Sequence, residues 1–122
     1  MKRYFVLTAC MTLLVGLLLA AAPASAFCVY NKTGEEINVD QQSGHRSSRG
    51  FSRDIKSGER ACCNWKNKDC NKKGHKHSIV TFVVSKKDFA VDHDCSGVEV
   101  KAGGWMDVYK RHDGFRCKAH YE

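Results

Sequence analysis

The chain has 122 residues, including 7 Cys, 10 Gly and a single Pro, and its formal net charge is +7. This length corresponds to one small domain, which excludes a two-domain enzyme and a complete nucleotide-binding α/β fold. All the leucines and the only proline lie in the first 26 residues, whereas the remainder of the chain contains no Leu but many Val. That composition excludes a Leu-rich helical bundle and favours β-sheet.

The N-terminal segment has the organisation of an export signal. Lys2 and Arg3 precede an uncharged stretch over residues 4–22, and the small residues of 24–26 have the sequence Ala-Ser-Ala. A basic start, an apolar centre and an A-x-A ending are the features that a signal peptidase recognises. We therefore predict a cleaved signal peptide over residues 1–26.

Two other roles for this segment are less favoured. A membrane anchor is opposed by Pro23, which breaks a helix, and by the cleavage sequence. Lipid attachment at Cys10 is opposed because most of the apolar stretch follows Cys10 rather than preceding it. The prediction is a single secreted β domain over residues 27–122, exported to the periplasm or out of the cell.

Six cysteines remain in the predicted domain: Cys28, Cys62, Cys63, Cys70, Cys95 and Cys117. An even number of cysteines in a small exported domain predicts three disulfide bonds, each adding about 2–4 kcal/mol to the free energy of unfolding. The adjacent Cys62 and Cys63 point to opposite faces if they lie in a strand, and are not expected to bond each other. We expect Cys28 to pair with Cys117, and Cys62 and Cys63 to pair with Cys70 and Cys95 in either order.

Short strands separated by turn residues account for the rest of the pattern, because no segment shows a helical period. The predicted strands are, in chain order, 27–30, 36–40, 51–56, 60–65, 78–85, 89–91, 98–100, 105–109 and 115–121. Residues 78–85 are apolar on both faces, which predicts a central strand covered on both sides. Residues 98–100 and 105–109 are predicted to form a hairpin, and Asp113-Gly114 marks another.

Eight or nine short strands without a repeat or a linker predict an all-β fold. The favoured architecture is a small disulfide-bonded antiparallel β-sandwich, with a small β-barrel as the alternative. Such folds carry many unrelated functions, so function has to be sought in particular side chains.

Positive charge is concentrated in residues 44–77, which contain ten Lys and Arg against three Asp and Glu. A face of this kind attracts polyanions, and Trp65 is placed to stack on a sugar or a base. The predicted binding residues are Arg46, Arg49, Trp65, Lys66, Lys68, Lys72, Lys73 and Lys76. The competing interpretation is that these charges only keep a small protein soluble.

The favoured function is therefore that of a small secreted, disulfide-stabilised binding protein. Its expected partner is an anionic polymer, an anionic membrane surface or another protein, and no motif for sequence-specific nucleic-acid binding is present. The alternatives are a small nuclease-like hydrolase and an inhibitor or effector that binds another protein. Since the chain has no hydrolase motif and no glycine-rich phosphate loop, no catalytic residue or cofactor is predicted.

Metal binding is a weaker possibility. His75 and His77 would lie on one face of an extended segment, and residues 92–94 (Asp-His-Asp) offer further ligands. The cysteines lack the paired C-x-x-C spacing of zinc sites, and an oxidising compartment opposes free thiolates. No metal site is predicted.

Overall fold

The computed structural model of the chain describes residues 26–42, 50–87 and 95–121. These residues form eight strands: β1 (Ala26–Lys32), β2 (Ile37–Gln41), β3 (Ser52–Ile55), β4 (Arg60–Asn64), β5 (Ile79–Lys86), β6 (Val98–Lys101), β7 (Trp105–Arg111) and β8 (Gly114–His120). The strands make two four-stranded sheets rather than a closed barrel. The prediction of a small, disulfide-bonded β-sandwich is confirmed.

The two sheets face each other with their edges aligned. Sheet A has the strand order β4-β1-β7-β8, and sheet B has the order β3-β2-β5-β6. Strands β1 and β7 are parallel, while all other neighbours are antiparallel. Strand β3 contacts β4 at one edge of the sandwich, and β6 contacts β8 at the other.

Three phenylalanines join the sheets at the centre of the core. Phe27 of β1 and Phe82 of β5 are completely buried, and their ring centroids are 5.2 Å apart. Phe51, just before β3, packs on both, with centroid distances of 5.3 Å to Phe27 and 5.8 Å to Phe82. Burial of each such side chain contributes about 1.5–3 kcal/mol to stability.

Strand β5 is central, as predicted, but only one of its faces is covered. Val80, Phe82 and Val84 are buried against sheet A, whereas Ile79 is 47% exposed and Val83 is partly exposed. The prediction of cover on both sides is therefore wrong. A two-layer sandwich has no third layer for that face, and β-branched residues suit a strand even where they are not buried.

The predicted hairpin between 98–100 and 105–109 is also wrong, because β6 lies in sheet B and β7 in sheet A. The chain crosses between the sheets at Gly104, where a Cβ atom would lie 2.3 Å from the carbonyl oxygen of His120. Glycine is required by this close approach of two backbones. The hairpin at Asp113-Gly114 is confirmed, since it connects β7 to β8. The predicted strand over 89–91 lies outside the described residues.

Three disulfides are present, as predicted, and they join Cys28 to Cys62, Cys63 to Cys70, and Cys95 to Cys117. The expected Cys28–Cys117 bond is wrong. Strand β1 pairs with β4 in a register that sets Cys28 directly opposite Cys62, on the outer side of sheet A. Cys117 instead packs against the core, where its bond to Cys95 closes the edge between β8 and β6.

Asn31 lies within β1, which extends two residues beyond the predicted strand 27–30, and links the two sheets by hydrogen bonds. Its side-chain nitrogen donates to the carbonyl oxygens of Glu35 (2.7 Å) and Ile55 (2.8 Å). Its side-chain oxygen accepts from the backbone nitrogen (3.0 Å) and hydroxyl (2.7 Å) of Thr33. The side chain is 1% exposed, so these partners satisfy a polar group that would be costly to bury alone.

Candidate functional site

Alternate residues of sheet A point away from the core and form a surface that we call the aromatic–basic face. It carries five Lys and Arg side chains, three aromatic rings, one histidine and one carboxylate. Its members are Tyr30, Lys32, Arg60, Trp105, Asp107, Tyr109, Arg111, Arg116, Lys118 and His120.

Strand register arranges these side chains in rows across the sheet. One row runs from Lys32 through Tyr109 to Arg116, and the next places Asp107 between Tyr30 and Lys118. Neighbouring strands lie about 4.8 Å apart, and successive rows about 6.6 Å apart. Aromatic and cationic groups therefore alternate on a regular grid whose spacing is fixed by backbone hydrogen bonds.

Two tyrosine rings of the face each make a cation–π contact with a basic side chain of the same protein. The guanidinium carbon of Arg60 lies 5.8 Å from the ring centroid of Tyr30, and the ammonium of Lys32 lies 5.4 Å from that of Tyr109. Contacts of this kind contribute about 0.5–1 kcal/mol at exposed sites. They hold cation and ring side by side before any ligand arrives.

Trp105 and His120 form the third aromatic pair of the face. Their rings are stacked, with centroids 5.0 Å apart and planes 9° from parallel. Both residues are partly exposed, at the ends of paired strands. The stack orients the indole and leaves it at the surface.

Asp107 lies at the centre of the face with a side chain that is 7% exposed. Its carboxylate is 3.1 Å from the ammonium of Lys32 and accepts a hydrogen bond of 3.2 Å from the hydroxyl of Tyr109. The hydrogen bond to Asp107 raises the pKa of Lys32 above its ordinary value. His120 Nε2 also approaches the carboxylate to 3.1 Å, but without the geometry of a hydrogen bond. The single negative charge of the face is thus neutralised from within.

Arg116 and Lys118 are the cations most available to a ligand. Both are exposed on the edge strand β8, and with Tyr109 and Arg111 they line a shallow depression. Within the described part of the chain, no salt bridge involves Arg116 or Lys118. No carboxylate among the described residues therefore neutralises their charge.

The basic loop predicted from the sequence connects β4 to β5 and lies on the surface. Its lysines are all exposed, namely Lys66, Lys68, Lys72, Lys73 and Lys76. Trp65 is partly buried, and the ammonium of Lys66 lies 5.2 Å from its ring centroid. A binding role for these residues stays a prediction, and Arg46 and Arg49 lie outside the described residues.

The backbone of this loop is fixed by a disulfide bond and by hydrogen bonds, although its sequence is polar. The Cys63–Cys70 disulfide ties it to β4, and Cys70 and Asn71 are buried. The side-chain nitrogen of Asn71 donates to the carbonyl oxygens of Trp65 (2.8 Å) and His75 (3.0 Å). The loop therefore holds its lysines on a defined backbone, although their side chains extend into solvent.

Sequence patterns reveal the parts of the aromatic–basic face but not its assembly. The spacing of Trp105, Asp107 and Tyr109 marks one side of a strand, as does that of Arg116, Lys118 and His120. Tyr30 and Lys32 are more than 70 residues away, and join them only because β1 pairs in parallel with β7. No local feature predicts that pairing, so charge counted along the chain pointed to the loop instead.

The described ranges, 26–42, 50–87 and 95–121, contain neither a candidate metal centre nor a candidate membrane-spanning helix. No group of three or more His, Cys, Asp or Glu in these ranges is arranged to hold a metal ion. His75 and His77 are exposed, and residues 92–94 fall outside the ranges. None of the described residues belongs to a helix long and apolar enough to cross a bilayer.

No protein-family model matches this chain, and no curated protein matches it. Three disulfides in a domain of this size are typical of extracellular or periplasmic proteins.

Proposed function

We propose that this chain is a small exported binding protein whose partner is an anionic polymer held on the aromatic–basic face. The observation that carries the proposal is the segregation of charge between the two outer faces of the sandwich. The aromatic–basic face has five cations and one neutralised carboxylate. The strands of sheet B carry three carboxylates and one lysine on their outer side (Asp40, Asp54, Glu99 and Lys101), and Lys87, directly after β5, pairs with Asp54 there at 3.7 Å.

Charge segregated in this way creates a local positive potential that attracts a polyanion and orients its approach. The net charge of the chain alone would not do so, because evenly mixed charges cancel at short range. Export is proposed from the predicted signal peptide, and the disulfides support it.

The aromatic–basic face is favoured over the basic loop for a geometric reason. In the loop, only Lys66 lies beside an aromatic ring of the described residues, that of Trp65, and the other exposed lysines of 66–76 form an arrangement that solubility explains. Cations of the face stand at fixed strand positions beside aromatic rings, and solubility does not explain rings on an outer surface. The loop is therefore the comparison site in the test.

The test is retention on immobilised heparin, with elution by a salt gradient at neutral pH. Heparin serves as a general polyanion, and binding to it depends on the number of cations engaged. R116Q/K118Q removes two cations from the aromatic–basic face, and K72Q/K73Q removes two from the loop, so the variants have the same net charge. We expect the face variant to elute at clearly lower salt than the loop variant.

Two results would contradict the proposal. Failure of the unmodified protein to bind heparin at physiological salt would remove polyanion binding. A larger decrease in the eluting salt concentration for K72Q/K73Q than for R116Q/K118Q would assign the binding site to the loop. Far-ultraviolet circular dichroism and thermal unfolding of each variant establish that the fold is retained.

A nuclease is a second candidate because of one observation, the approach of His120 to Asp107 among the cations of the face. A histidine beside a carboxylate is suited to proton transfer, and neighbouring cations suit a phosphate. Incubation with RNA tests this directly. Cleavage that is lost in H120A supports it, whereas no cleavage, or cleavage unchanged in H120A, removes it.

A further inference from the structure

The aromatic–basic face combines two features that a polyanion site does not require together. Cations alone would bind a sulfated polysaccharide or a duplex. The rings of Tyr30, Trp105 and Tyr109 are additional, and each stands beside a cationic or imidazole side chain. The face therefore repeats a flat ring and a positive charge along the sheet.

A single-stranded nucleic acid repeats the complementary pair, one flat base and one negative phosphate per unit. Bases stack on aromatic side chains whatever their sequence, and phosphates pair with Lys and Arg. We infer that the aromatic–basic face binds single-stranded nucleic acid without sequence preference, its rings stacking on bases and its cations contacting phosphates. This inference rests on the proposed function and names the ligand class of that same site.

Other polyanions match the face less completely. A duplex hides the faces of its bases, and the charged groups of a sulfated polysaccharide leave little bare sugar surface, so each makes less use of the three rings than a single strand does. An anionic bilayer suits aromatic and basic side chains, but it also favours protruding apolar ones. Among the described residues, the large apolar side chains that are exposed are Ile79 and Tyr121, and neither belongs to the face.

The dimensions of the face limit the length of strand that it contacts. Trp105 and Tyr109 are four residues apart on β7, a separation of about 13 Å along the strand. Tyr30 lies on the neighbouring β1, one row from each of them. This is room for about two or three extended nucleotides, the number of bases that some four-stranded sheets stack when they bind single-stranded RNA.

The experiment compares four ligands at one salt concentration. A labelled single-stranded oligonucleotide of about 12 nucleotides is titrated with the protein, and its binding is monitored by fluorescence anisotropy. Its duplex, a heparin oligosaccharide and vesicles of anionic phospholipid are used as competitors. We expect the single strand to bind about tenfold more tightly than the duplex of the same sequence, because stacking of one base changes the affinity by between about fivefold and about 150-fold.

Tryptophan fluorescence locates the contact, because the chain has two tryptophans, one in each basic surface. The W65F variant leaves Trp105 as the only indole, and the W105F variant leaves Trp65. Stacking of a base on an indole quenches its emission. We expect the single strand to quench the emission of Trp105 strongly in W65F, and that of Trp65 only weakly in W105F.

Charge and stacking are separated by two further variants. R116Q/K118Q is expected to lower the slope of log affinity against log salt by about 1.4, which corresponds to two phosphate contacts of a single strand. Y30L is expected to weaken single-strand binding about tenfold while leaving that slope unchanged, because it removes a ring and no cation. Circular dichroism confirms that each variant is folded.

The outcomes distinguish this inference from the proposed function. Preference for the single strand with quenching in W65F supports both. Equal or tighter binding of the duplex, heparin or vesicles, or quenching confined to W105F, overturns the inference. Polyanion binding that responds to R116Q/K118Q but shows no single-strand preference leaves the proposed function standing alone, and failure to bind every ligand contradicts both.

Discussion

The two outer faces of this sandwich are built alike and differ in chemistry. Each is the solvent side of a four-stranded sheet whose inner side packs on the same phenylalanine core. On sheet A, the outward positions carry aromatic rings and cations. On sheet B, they carry mainly short polar and acidic side chains, including Asn38, Asp40, Ser52 and Asp54. The difference indicates that folding constrains the inner positions of both sheets, whereas the outer positions are available for function.

The stability of the sandwich depends on links between its two sheets. The inward Cys95–Cys117 bond and the buried Asn31 network both connect sheet A to sheet B. Changes at these links are expected to have the largest effects, because they act on the whole fold. Changes at the outer faces are expected to leave the fold intact and to act on binding.

Among the variants proposed, C95A/C117A is expected to have the largest effect, because it removes a covalent link between the sheets. Its closed loop of 22 residues corresponds to about 3 kcal/mol of unfolding free energy. C63A/C70A opens a loop of only 7 residues and is expected to cost about 2 kcal/mol. Urea unfolding monitored by fluorescence measures both free energies. A smaller decrease for C95A/C117A than for C63A/C70A would contradict the role given to the Cys95–Cys117 bond.

N31A is expected to lower the unfolding free energy by about 2 kcal/mol, since it leaves the buried carbonyl oxygen of Ile55 without this donor and removes one of two donors to the carbonyl oxygen of Glu35. The matched control is N38A, which removes an asparagine from the exposed face of sheet B, where it donates to Asp54. Surface changes of that kind usually stay within about 0.5 kcal/mol. Equal losses in the two variants would show that Asn31 does not join the sheets as described.

At the outer faces, equal and opposite changes in charge are expected to have unequal effects. R116Q/K118Q should weaken single-strand binding about tenfold at physiological salt, through the loss of two phosphate contacts. D40N/E99Q removes two carboxylates from the opposite face and should change the affinity less than about threefold. Anisotropy titrations measure both. If D40N/E99Q strengthens binding as much as R116Q/K118Q weakens it, net charge rather than the face controls binding.

The smallest effect concerns Glu35, whose carboxylate lies 2.8 Å from Lys110 of sheet A and 3.1 Å from Lys86 of sheet B. Hydrogen bonds from Lys110 and then Lys86 lower the pKa of Glu35 below its ordinary value of 4.5. The carboxylate therefore stabilises the fold above pH 4.5, and this contribution is lost as pH falls through the lower folded-state pKa.

E35Q should remove that part of the pH dependence. Unfolding free energies measured between pH 3 and pH 6 should fall less steeply with acid in E35Q than in the unmodified protein. The same slope in both proteins would contradict a stabilising role for the pair of lysine contacts.

Sequence reasoning identified the fold because alternation and turn residues are local properties. It gave the two-sheet class, the three disulfides and the hairpin at Asp113-Gly114. It placed β6 and β7 in one hairpin and paired Cys28 with Cys117, because alternation shows which side of a strand is buried but not which strand lies beside it. Partner choice depends on contacts between distant segments, such as β1 with β7.

The same limit applied to the candidate site. Basic residues close together in sequence were visible as a loop, and the structure places that loop on the surface as expected. Basic and aromatic residues that meet across β1, β7 and β8 were visible only as separate short patterns. Their assembly requires the parallel pairing of β1 with β7, which no residue type signals on its own.

The most direct test of the central claim is a nuclear magnetic resonance titration of isotopically labelled protein with a single-stranded oligonucleotide. Amide signals identify each strand separately, so the bound face is read without any substitution. We predict that the shifts concentrate at Tyr30, Trp105 and Tyr109 and along β8, while β2, β3 and β5 stay unchanged. Shifts centred on sheet B or on the 66–76 loop, or no shifts at saturating oligonucleotide, would contradict the account.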